Sequence, residues 1–341
     1  MVALDAVRAH NSSLKSLAPG LVAVFVGGTS GIGFSTAREF VRNTQSPHVY
    51  LIGRNQNEAT RISEELRTIN TTSKIDFIKS DVSLLKSVDD ACKEIKEKEQ
   101  KVNLLFMTAG YLTTKGRDET IEGLDKKFSL HYYARMRFID QLSPLLTAAA
   151  NDANPNARMS SVLSVLSPQA GRWFLSVDFD DLSLKNNFTI RNCATHAAIM
   201  NNFAIEHFAK AYPKTTFVHA APGGVHTNAT RDMGTFTKAL IGAASVFLKP
   251  FMTDLTESGE RHLYAATAPQ FAPRSMMNTA DNQAIGGDGV RGSGAYQLNW
   301  NSEVYDEQPK YTEMRNDGAE QKIWDHTSGV FRAICEGEGK Y

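Results

Sequence analysis

The stretch that decides the fold is LVAVFVGGTSGIG, residues 21–33. Its first six residues are apolar and rich in valine, which is typical of a strand buried on both faces of a parallel sheet. The glycines that follow permit a tight turn and let the backbone approach a ligand closely. A helix that opens directly after such a loop offers its first N–H groups to phosphate. The stretch therefore predicts a strand, a phosphate-binding loop and a helix in succession.

Short apolar runs like this one recur along the chain and are separated by helical patterns. We predict strands at residues 21–26, 49–52, 75–78, 102–107, 159–166, 215–220 and 294–298. We predict helices at residues 58–68, 88–98, 123–149, 194–211 and 317–334. Strands that alternate with helices form right-handed βαβ units. The pattern predicts an α/β fold, a Rossmann-like doubly wound parallel sheet of about seven strands.

We predict a single Rossmann-like domain over residues 1–341, because no linker or repeat interrupts the pattern. Its parts are an N-terminal arm (1–18), a dinucleotide-binding core (19–227), a substrate lid (228–293), and a last strand with a C-terminal helical extension (294–341). The lid is predicted because a long insertion at the ligand end of such a sheet is usually functional. Its apolar side chains, such as Phe236, Phe247 and Phe251, indicate a bulky apolar small-molecule substrate.

Composition excludes several classes of protein. With 37 basic and 37 acidic residues the formal net charge is zero, which argues against a nucleic-acid partner. The three cysteines, Cys92, Cys193 and Cys335, are far apart, so no metal site or disulfide framework is predicted. No apolar run is long enough for a membrane span, and the first residues lack the apolar core of a signal peptide. We therefore expect a cytoplasmic protein.

Several motifs occur in the order found in short-chain dehydrogenases/reductases, and the chain resembles that family over about residues 20–228. Gly27, Gly31 and Gly33 fit the TGxxxGxG pattern of that family, with Val26 in place of its threonine. The other matches are Asp81-Val82 after the third strand, Met107-Thr108-Ala109-Gly110 in place of NNAG, and Pro222-Gly223-Gly224-Val225-His226-Thr227 in place of PGxVxT. The resemblance implies a nicotinamide dinucleotide cofactor.

The resemblance also implies which residues hold that cofactor. They are Gly27, Thr29, Ser30, Gly31, Ile32, Gly33, Arg54, Asn55, Asp81, Val82, Ala109, Gly110, His196, Pro222, Gly223, Val225 and Thr227. Arg54 follows the second strand, and no acidic residue lies at 50–56. In dinucleotide-binding folds an acidic residue there binds the ribose 2′-hydroxyl, whereas an arginine accommodates a 2′-phosphate. We therefore predict NADPH/NADP as the cofactor.

The catalytic pattern departs from that of the family. The resemblance implies an Asn, a Ser and a Tyr-x-x-x-Lys pair, but counting back from Pro222 places Asn192 and His196 where the Tyr and Lys are expected. His131 stands where the family has its Asn, and Ser164 falls at the serine position, with an ambiguity of one turn in the serine-rich strand. Histidine can act as an acid or base near neutral pH. The predicted catalytic residues are Ser164, His196, Asn192 and His131.

Three functions fit these residues. The first is an NADPH-dependent reductase of a bulky apolar carbonyl compound with altered proton delivery, similar to variant family members of fungal secondary metabolism. The second is a non-redox isomerase, dehydratase or cyclase on the same scaffold. The third is a non-catalytic NADP-binding protein. The resemblance further implies a homodimer or homotetramer that pairs through the helices near 117–149 and 192–211.

Overall fold

A computed structural model shows a parallel sheet between two layers of helices, and it describes residues 1–171, 177–225, 252–277 and 279–341. The strands are β1 (Val22–Val26), β2 (His48–Gly53), β3 (Lys74–Lys79), β4 (Leu104–Met107), β5 (Ser161–Val165), β6 (Thr216–Ala220) and β7 (Ala295–Leu298). Their order is β3-β2-β1-β4-β5-β6-β7, and every neighbouring pair is parallel. The predicted doubly wound fold is confirmed, with strand ends within two residues of the predicted ones.

The helices of the described residues follow the strands as predicted, with shifted ends. They are α1 (Leu4–Ser13), α2 (Gly31–Asn43), α3 (Gln56–Ile69), α4 (Leu85–Lys98), α5 (Ala134–Ala150), α6 (Ile190–Ala211), α7 (Leu255–Thr267), α8 (Pro309–Asn316) and α9 (Ala319–Phe331). A short helix (Lys126–Phe128) and a π-helical turn (Ser129–Tyr133) lead directly into α5. The helix predicted at 123–149 is therefore real, but its second turn is wound as a π-helix.

Two apolar cores lie on opposite faces of the sheet. Side chains alternate along β1, so that Val24 contributes to one core and Phe25 to the other. Helices α4, α5, α6 and α9 cover the first core. Helices α1, α2, α3 and α7 cover the second. The chain runs from β1 to β2 and β3 on one side and then returns to place β4 on the other side of β1. A crevice therefore opens at the carboxyl ends of β1 and β4.

The predicted lid at 228–293 is too wide. Helix α7 belongs to that range, yet it is a core element that packs against α1 and α2. Arg8 of α1 donates to the Glu260 carboxylate at 2.8 Å, and Ser35 of α2 donates to the carbonyl of Leu255 at 2.7 Å. Residues 228–251 and residue 278 of the predicted lid lie outside the described residues. The predicted N-terminal arm is the ordered helix α1, because Val7 is buried against this layer.

The predicted C-terminal helix is confirmed as α9, which packs on α6. The Trp324 ring stacks on the His207 ring with 4.4 Å between their centroids. Ile323 and Val330 are fully buried in the first core. Within the described parts of the chain, none of the helices combines the length and apolar character that a bilayer crossing requires. The sheet therefore leaves its crevice, at the carboxyl ends of the strands, as the place to look for a site.

Candidate active site

A cleft of about 450 Å³ occupies the crevice at the carboxyl ends of the strands. Fourteen of the predicted cofactor residues line it, namely Gly27, Thr29, Ser30, Gly31, Ile32, Arg54, Asn55, Asp81, Val82, Ala109, Gly110, Pro222, Gly223 and Val225. Residues from β1, β2, β3, β4 and β6 thus meet in one place although they are nearly 200 positions apart in the sequence. Thr227, the last predicted cofactor residue, lies outside the described residues.

The loop after β1 forms the floor of the cleft. Gly27 adopts a φ of +85°, and the carbonyl of Ile52 accepts a hydrogen bond from its N–H at 2.9 Å. A side chain on Gly33 would come within 2.5 Å of the carbonyl oxygen of Gly27, so only glycine lets α2 pack against the loop. Gly33 itself does not line the cleft and serves the site by this packing. The tight turn keeps the space above the loop open.

The first turn of α2 is suited to a phosphate. Its N-cap residue is Ser30, whose hydroxyl does not cap the helix, so the first N–H groups keep their hydrogen-bonding capacity. By contrast, Asn55 caps α3 and Thr189 caps α6 with their side chains. Free N–H groups at a helix start, facing a cleft and backed by the helix dipole, form an anion site. The residues present therefore fit a dinucleotide pyrophosphate.

Arg54 marks one end of the cleft. Its side chain is exposed at the carboxyl end of β2 and lines the cleft. The neighbouring Asn55 is occupied, because its side chain accepts the N–H of Glu58 at 3.2 Å. Among the described residues no carboxylate lies within 4.0 Å of the Arg54 guanidinium. A positive group without a partner at this position fits a 2′-phosphate.

His131 lies in the wall of the cleft, on the π-helical turn before α5. Its ring fills the space where Gly110 has no side chain, since a Cβ on Gly110 would be 2.7 Å from Nε2. Within the described structure neither ring nitrogen has a hydrogen-bond partner, and neither is sealed from the cleft. Burial, with the charges of Arg135 and Lys127, lowers the pKa of His131 to about 3. The imidazole is therefore neutral at physiological pH, with one N–H to donate and one nitrogen to accept.

Arg135 lies four residues beyond His131 and also lines the cleft, although it is not among the predicted site residues. Only 3% of this residue is exposed. Its guanidinium donates to Ser164 Oγ at 2.7 Å and to the carbonyls of Val165 at 2.8 Å, Ala109 at 2.9 Å and Leu130 at 3.1 Å. Burial lowers the pKa of Arg135 to about 9, which leaves it charged at neutral pH. No carboxylate of the described residues pairs with this charge.

Arg135 is a functional candidate that the sequence analysis missed, and a weak signal for it existed. It occurs in an otherwise apolar helical run and lies one turn after His131, on the same side of the helix. Arg137 occurs in the same run, and the structure shows that it turns away to pair with Asp89 at 2.6 Å. Sequence spacing alone does not separate an arginine that lines the cleft from one that pairs with a carboxylate elsewhere when a π-helical turn changes the helix phase.

Ser164 does not line the cleft. Its hydroxyl is fully buried at the end of β5, where it accepts from Arg135 and donates to Asn201 Oδ1 at 3.2 Å. Both hydrogen-bonding functions of the hydroxyl are thus used within the protein. Arg135, which does line the cleft, holds this hydroxyl, so the contact of Ser164 with a substrate oxygen stays a prediction.

His196 and Asn192 also lie away from the cleft lining. His196 is buried under the loop that precedes α6, where Nε2 accepts the N–H of Asp178 at 3.1 Å and Nδ1 donates to the carbonyl of Leu182 at 3.4 Å. Asn192 is half-buried, and its side chain donates to the carbonyl of Asn187 at 2.8 Å. Both residues lie on α6, the helix on which counting back from Pro222 places them, but neither is among the described residues that line the cleft. In the described parts of the chain they act as loop anchors.

The buried histidines predict a loss of stability in acid. Burial lowers the pKa of His131 and His219 to about 3 and that of His262 and His326 to about 4. As the pH falls below about 6.5, the unfolded chain takes up protons at these positions while the folded protein does not. Each group then costs about 1.4 kcal/mol of stability per pH unit until its folded pKa is reached. Urea denaturation at pH 7, 6 and 5 should show that the free energy of unfolding of the wild type falls steeply as the pH falls, and that it falls less steeply in His131→Gln. An equal pH dependence in both proteins would contradict the burial of a neutral His131.

Comparisons with known proteins agree with this geometry. The model of the short chain dehydrogenase family matches residues 21–153. Oxidoreductase AN1596 of Emericella nidulans is 39% identical, with 97% of this chain and 98% of that protein aligned. The short-chain dehydrogenase/reductase SAT2 of Stachybotrys chartarum is 28% identical over 96% of each chain. The NADPH-bound carbonyl reductase from chicken fatty liver has the same fold, with a TM-score of 0.54, 16% identity, and coverage of 84% of this chain and 99% of that one.

Proposed function

The chain belongs to the short-chain dehydrogenase/reductase family and is an oxidoreductase of that type, and from this premise we propose that it reduces a carbonyl group with NADPH. The observation that carries the proposal is the cleft itself. It combines an uncapped helix start above a glycine floor with an unpaired arginine at the end of β2. The first feature suits a pyrophosphate and the second a 2′-phosphate. When bound, NADPH supplies the hydride.

The chain's own residues would then bind and orient the reactants. The loop from Gly27 to Ile32 holds the pyrophosphate, Arg54 holds the 2′-phosphate, and the Pro222–Val225 segment closes the opposite end of the cleft. We assign His131 the task of donating a hydrogen bond from its neutral ring to the carbonyl oxygen of the substrate. Hydride transfer turns that oxygen into an alkoxide, which then takes its proton from solvent, because the neutral ring keeps its own. A donor fixed in advance toward a developing negative charge stabilises the transition state more than it does the ground state.

Arg135 supports this role of His131 in two ways. Its charge is a cause of the low pKa of His131, which keeps the ring a neutral donor. It also ties the ends of β4 and β5 to the helix that carries His131, through the carbonyls of Ala109, Val165 and Leu130. The fixed positive charge beneath the cleft favours a developing oxyanion above it. Arg135 is thus a positioning residue in this proposal.

Replacing Arg54 with alanine tests the cofactor half of the proposal. We expect the Kd for NADPH to rise about tenfold or more, because a charge-assisted bond to phosphate is lost. The Kd for NADH should stay nearly unchanged, since that cofactor has no 2′-phosphate. Arg61→Ala on the exposed face of α3 is the matched control, because Arg61 pairs only with Glu58 and Glu65. Equal affinity for NADPH and NADH in the wild type would rule out the assigned cofactor preference.

A non-redox reaction or cofactor binding without turnover remains the second candidate, and one observation favours it. Within the described residues, Ser164, Asn192 and His196 bind other parts of the protein instead of facing the cleft. Carbonyl compounds should be screened for NADPH oxidation, and the products analysed by mass spectrometry. A product heavier than the substrate by two hydrogens supports reduction, and one lighter by two hydrogens supports the reverse reaction. A product of unchanged oxidation level supports the non-redox function.

We propose a bulky apolar substrate, in keeping with the sequence of 226–251 and with Leu112, Leu166 and Met252, which line the cleft. A role in fungal secondary metabolism is part of the same proposal; the oxidoreductase from Emericella nidulans, 39% identical, supports its fungal part. Pairing of subunits through residues 192–211 stays a prediction. Helix α9 already covers part of that surface, because Trp324 stacks on His207.

A further inference from the structure

A second pocket, of about 250 Å³, adjoins the cleft at Arg54 and Tyr111, which line both. It is bounded by the loop after β4 and by the short helix before the π-helical turn. We name it the basic pocket, because four cationic side chains line it, namely Arg54, Lys115, Lys126 and Lys127. It differs from the cleft in being polar, and nothing in the proposed reaction so far uses it.

Lys127 is the unusual member of the basic pocket. Only 5% of this residue is exposed, although a lysine is seldom buried without a partner. Its ammonium lies 5.6 Å from the centre of the Phe188 ring, and none of the described residues offers it a hydrogen-bond acceptor. The nitrogen is not sealed in the interior, so it is open to the pocket. A largely buried ammonium without a hydrogen-bond acceptor is costly, and a bound anion would offset that cost.

The two carboxylates of the basic pocket do not neutralise it. Asp125 is buried, but its oxygens accept the backbone N–H groups of Asp118 at 2.8 Å and Phe128 at 2.9 Å. Asp118 is exposed and lies within 4.0 Å of none of the cationic nitrogens described. The pocket therefore keeps an excess of positive charge that includes the ammonium of one largely buried side chain. Such a site attracts anions more strongly than exposed lysines do.

We propose that the basic pocket binds a phosphate or carboxylate group and that Lys127 is its central ligand. Two molecules carry such an anionic group, and the charges that line the pocket do not distinguish between them. One is the 2′-phosphate of the cofactor, since Arg54 lines both cavities; this source rests on the proposed function. The other is an acidic group on the substrate, since the charge of Lys127 reaches His131 in the cleft wall. In either case, anion binding by the basic pocket does not depend on whether the protein transfers hydride.

The test uses isothermal titration of the full chain with adenosine 2′,5′-bisphosphate, 5′-AMP and inorganic phosphate. Lys127→Met keeps the length of the side chain and removes its charge, and Lys93→Met on the exposed face of α4 is the control. If the cofactor is the source, Lys127→Met should weaken the bisphosphate about tenfold and leave 5′-AMP unchanged. If the substrate is the source, the bisphosphate should bind equally, while phosphate binding to the NADPH-saturated protein should fall by the same factor.

Equal affinities for the bisphosphate and for phosphate in wild type and Lys127→Met would overturn the proposal. Lys127→Arg should retain binding, because the positive charge remains. If Lys127→Met does not fold, the double variant Lys115→Gln/Lys126→Gln at the pocket rim replaces it with the same expected losses, and unchanged binding there would overturn the proposal. Failure of the proposed cofactor function would appear separately, because the Kd for NADPH would then be the same in Arg54→Ala and in the wild type.

Discussion

Replacing Arg135 with methionine is expected to lower the free energy of unfolding by about 3–5 kcal/mol, because several buried acceptors lose their donor at once. The guanidinium serves Ser164 Oγ and the carbonyls of Val165, Ala109 and Leu130, which belong to three different elements. Methionine fills a similar volume but donates no hydrogen bond. Since Ala109 and Val165 line the cleft, affinity for NADPH should also fall, by about tenfold or more. Urea denaturation and cofactor titration measure the two effects.

Arg137→Met is the matched control for this prediction. Arg137 lies two residues further along α5, and its side chain is also mostly buried, but it pairs with Asp89 at 2.6 Å. Asp89 is partly exposed, so water solvates its carboxylate when the arginine is removed. We expect a loss of about 1 kcal/mol and unchanged cofactor affinity. Equal losses of stability and affinity in the two variants would show that general helix packing, and not the bonds of Arg135 to the strand ends, accounts for the effect.

The sequence was sufficient for the sheet and for most of the residues that line the cleft, because both depend on short-range patterns. Apolar runs such as 21–26 and 49–52 are typical of strands that are buried on both faces of a parallel sheet. Gly27 and Gly33 mark a turn whose geometry excludes side chains, and the structure shows the close contacts that exclude them. Where backbone atoms form the site, the residue types and their spacing in the sequence nearly determine where those atoms lie.

The catalytic half was less predictable because it depends on which way side chains point. His196 lies on the expected helix, yet its ring turns to Asp178 and Leu182 in a loop that the sequence could not orient. The π-helical turn at 129–133 shifts the phase of the following helix and brings Arg135 beneath the cleft. The bounds of the predicted lid were hard to place for a related reason, since the apolar face of α7 is equally consistent with covering a substrate or the sheet.

Replacing Gly33 with alanine is expected to abolish most cofactor binding while leaving the rest of the fold in place. The new Cβ would lie 2.5 Å from the Gly27 carbonyl oxygen and 2.6 Å from Thr108 Oγ1. Contacts this short force α2 away from the loop, and such overpacking costs about 1–3 kcal/mol. Because the start of α2 and the loop bind the pyrophosphate together, we expect the Kd for both NADPH and NADH to rise at least about tenfold. Fluorescence titration with each cofactor measures this loss.

The control separates this steric effect from the intrinsic preference of helices for alanine. Gly329 lies inside α9, and a Cβ added there meets nothing within 4 Å. Gly329→Ala should therefore raise the free energy of unfolding by up to about 1 kcal/mol and leave both Kd values unchanged. Retained affinity in Gly33→Ala would mean that the loop can move without disturbing the phosphate site, which contradicts a binding site built from the backbone of residues 27–33. A selective loss of NADPH binding alone would point to Arg54, because only the 2′-phosphate distinguishes the two cofactors at that end of the cleft.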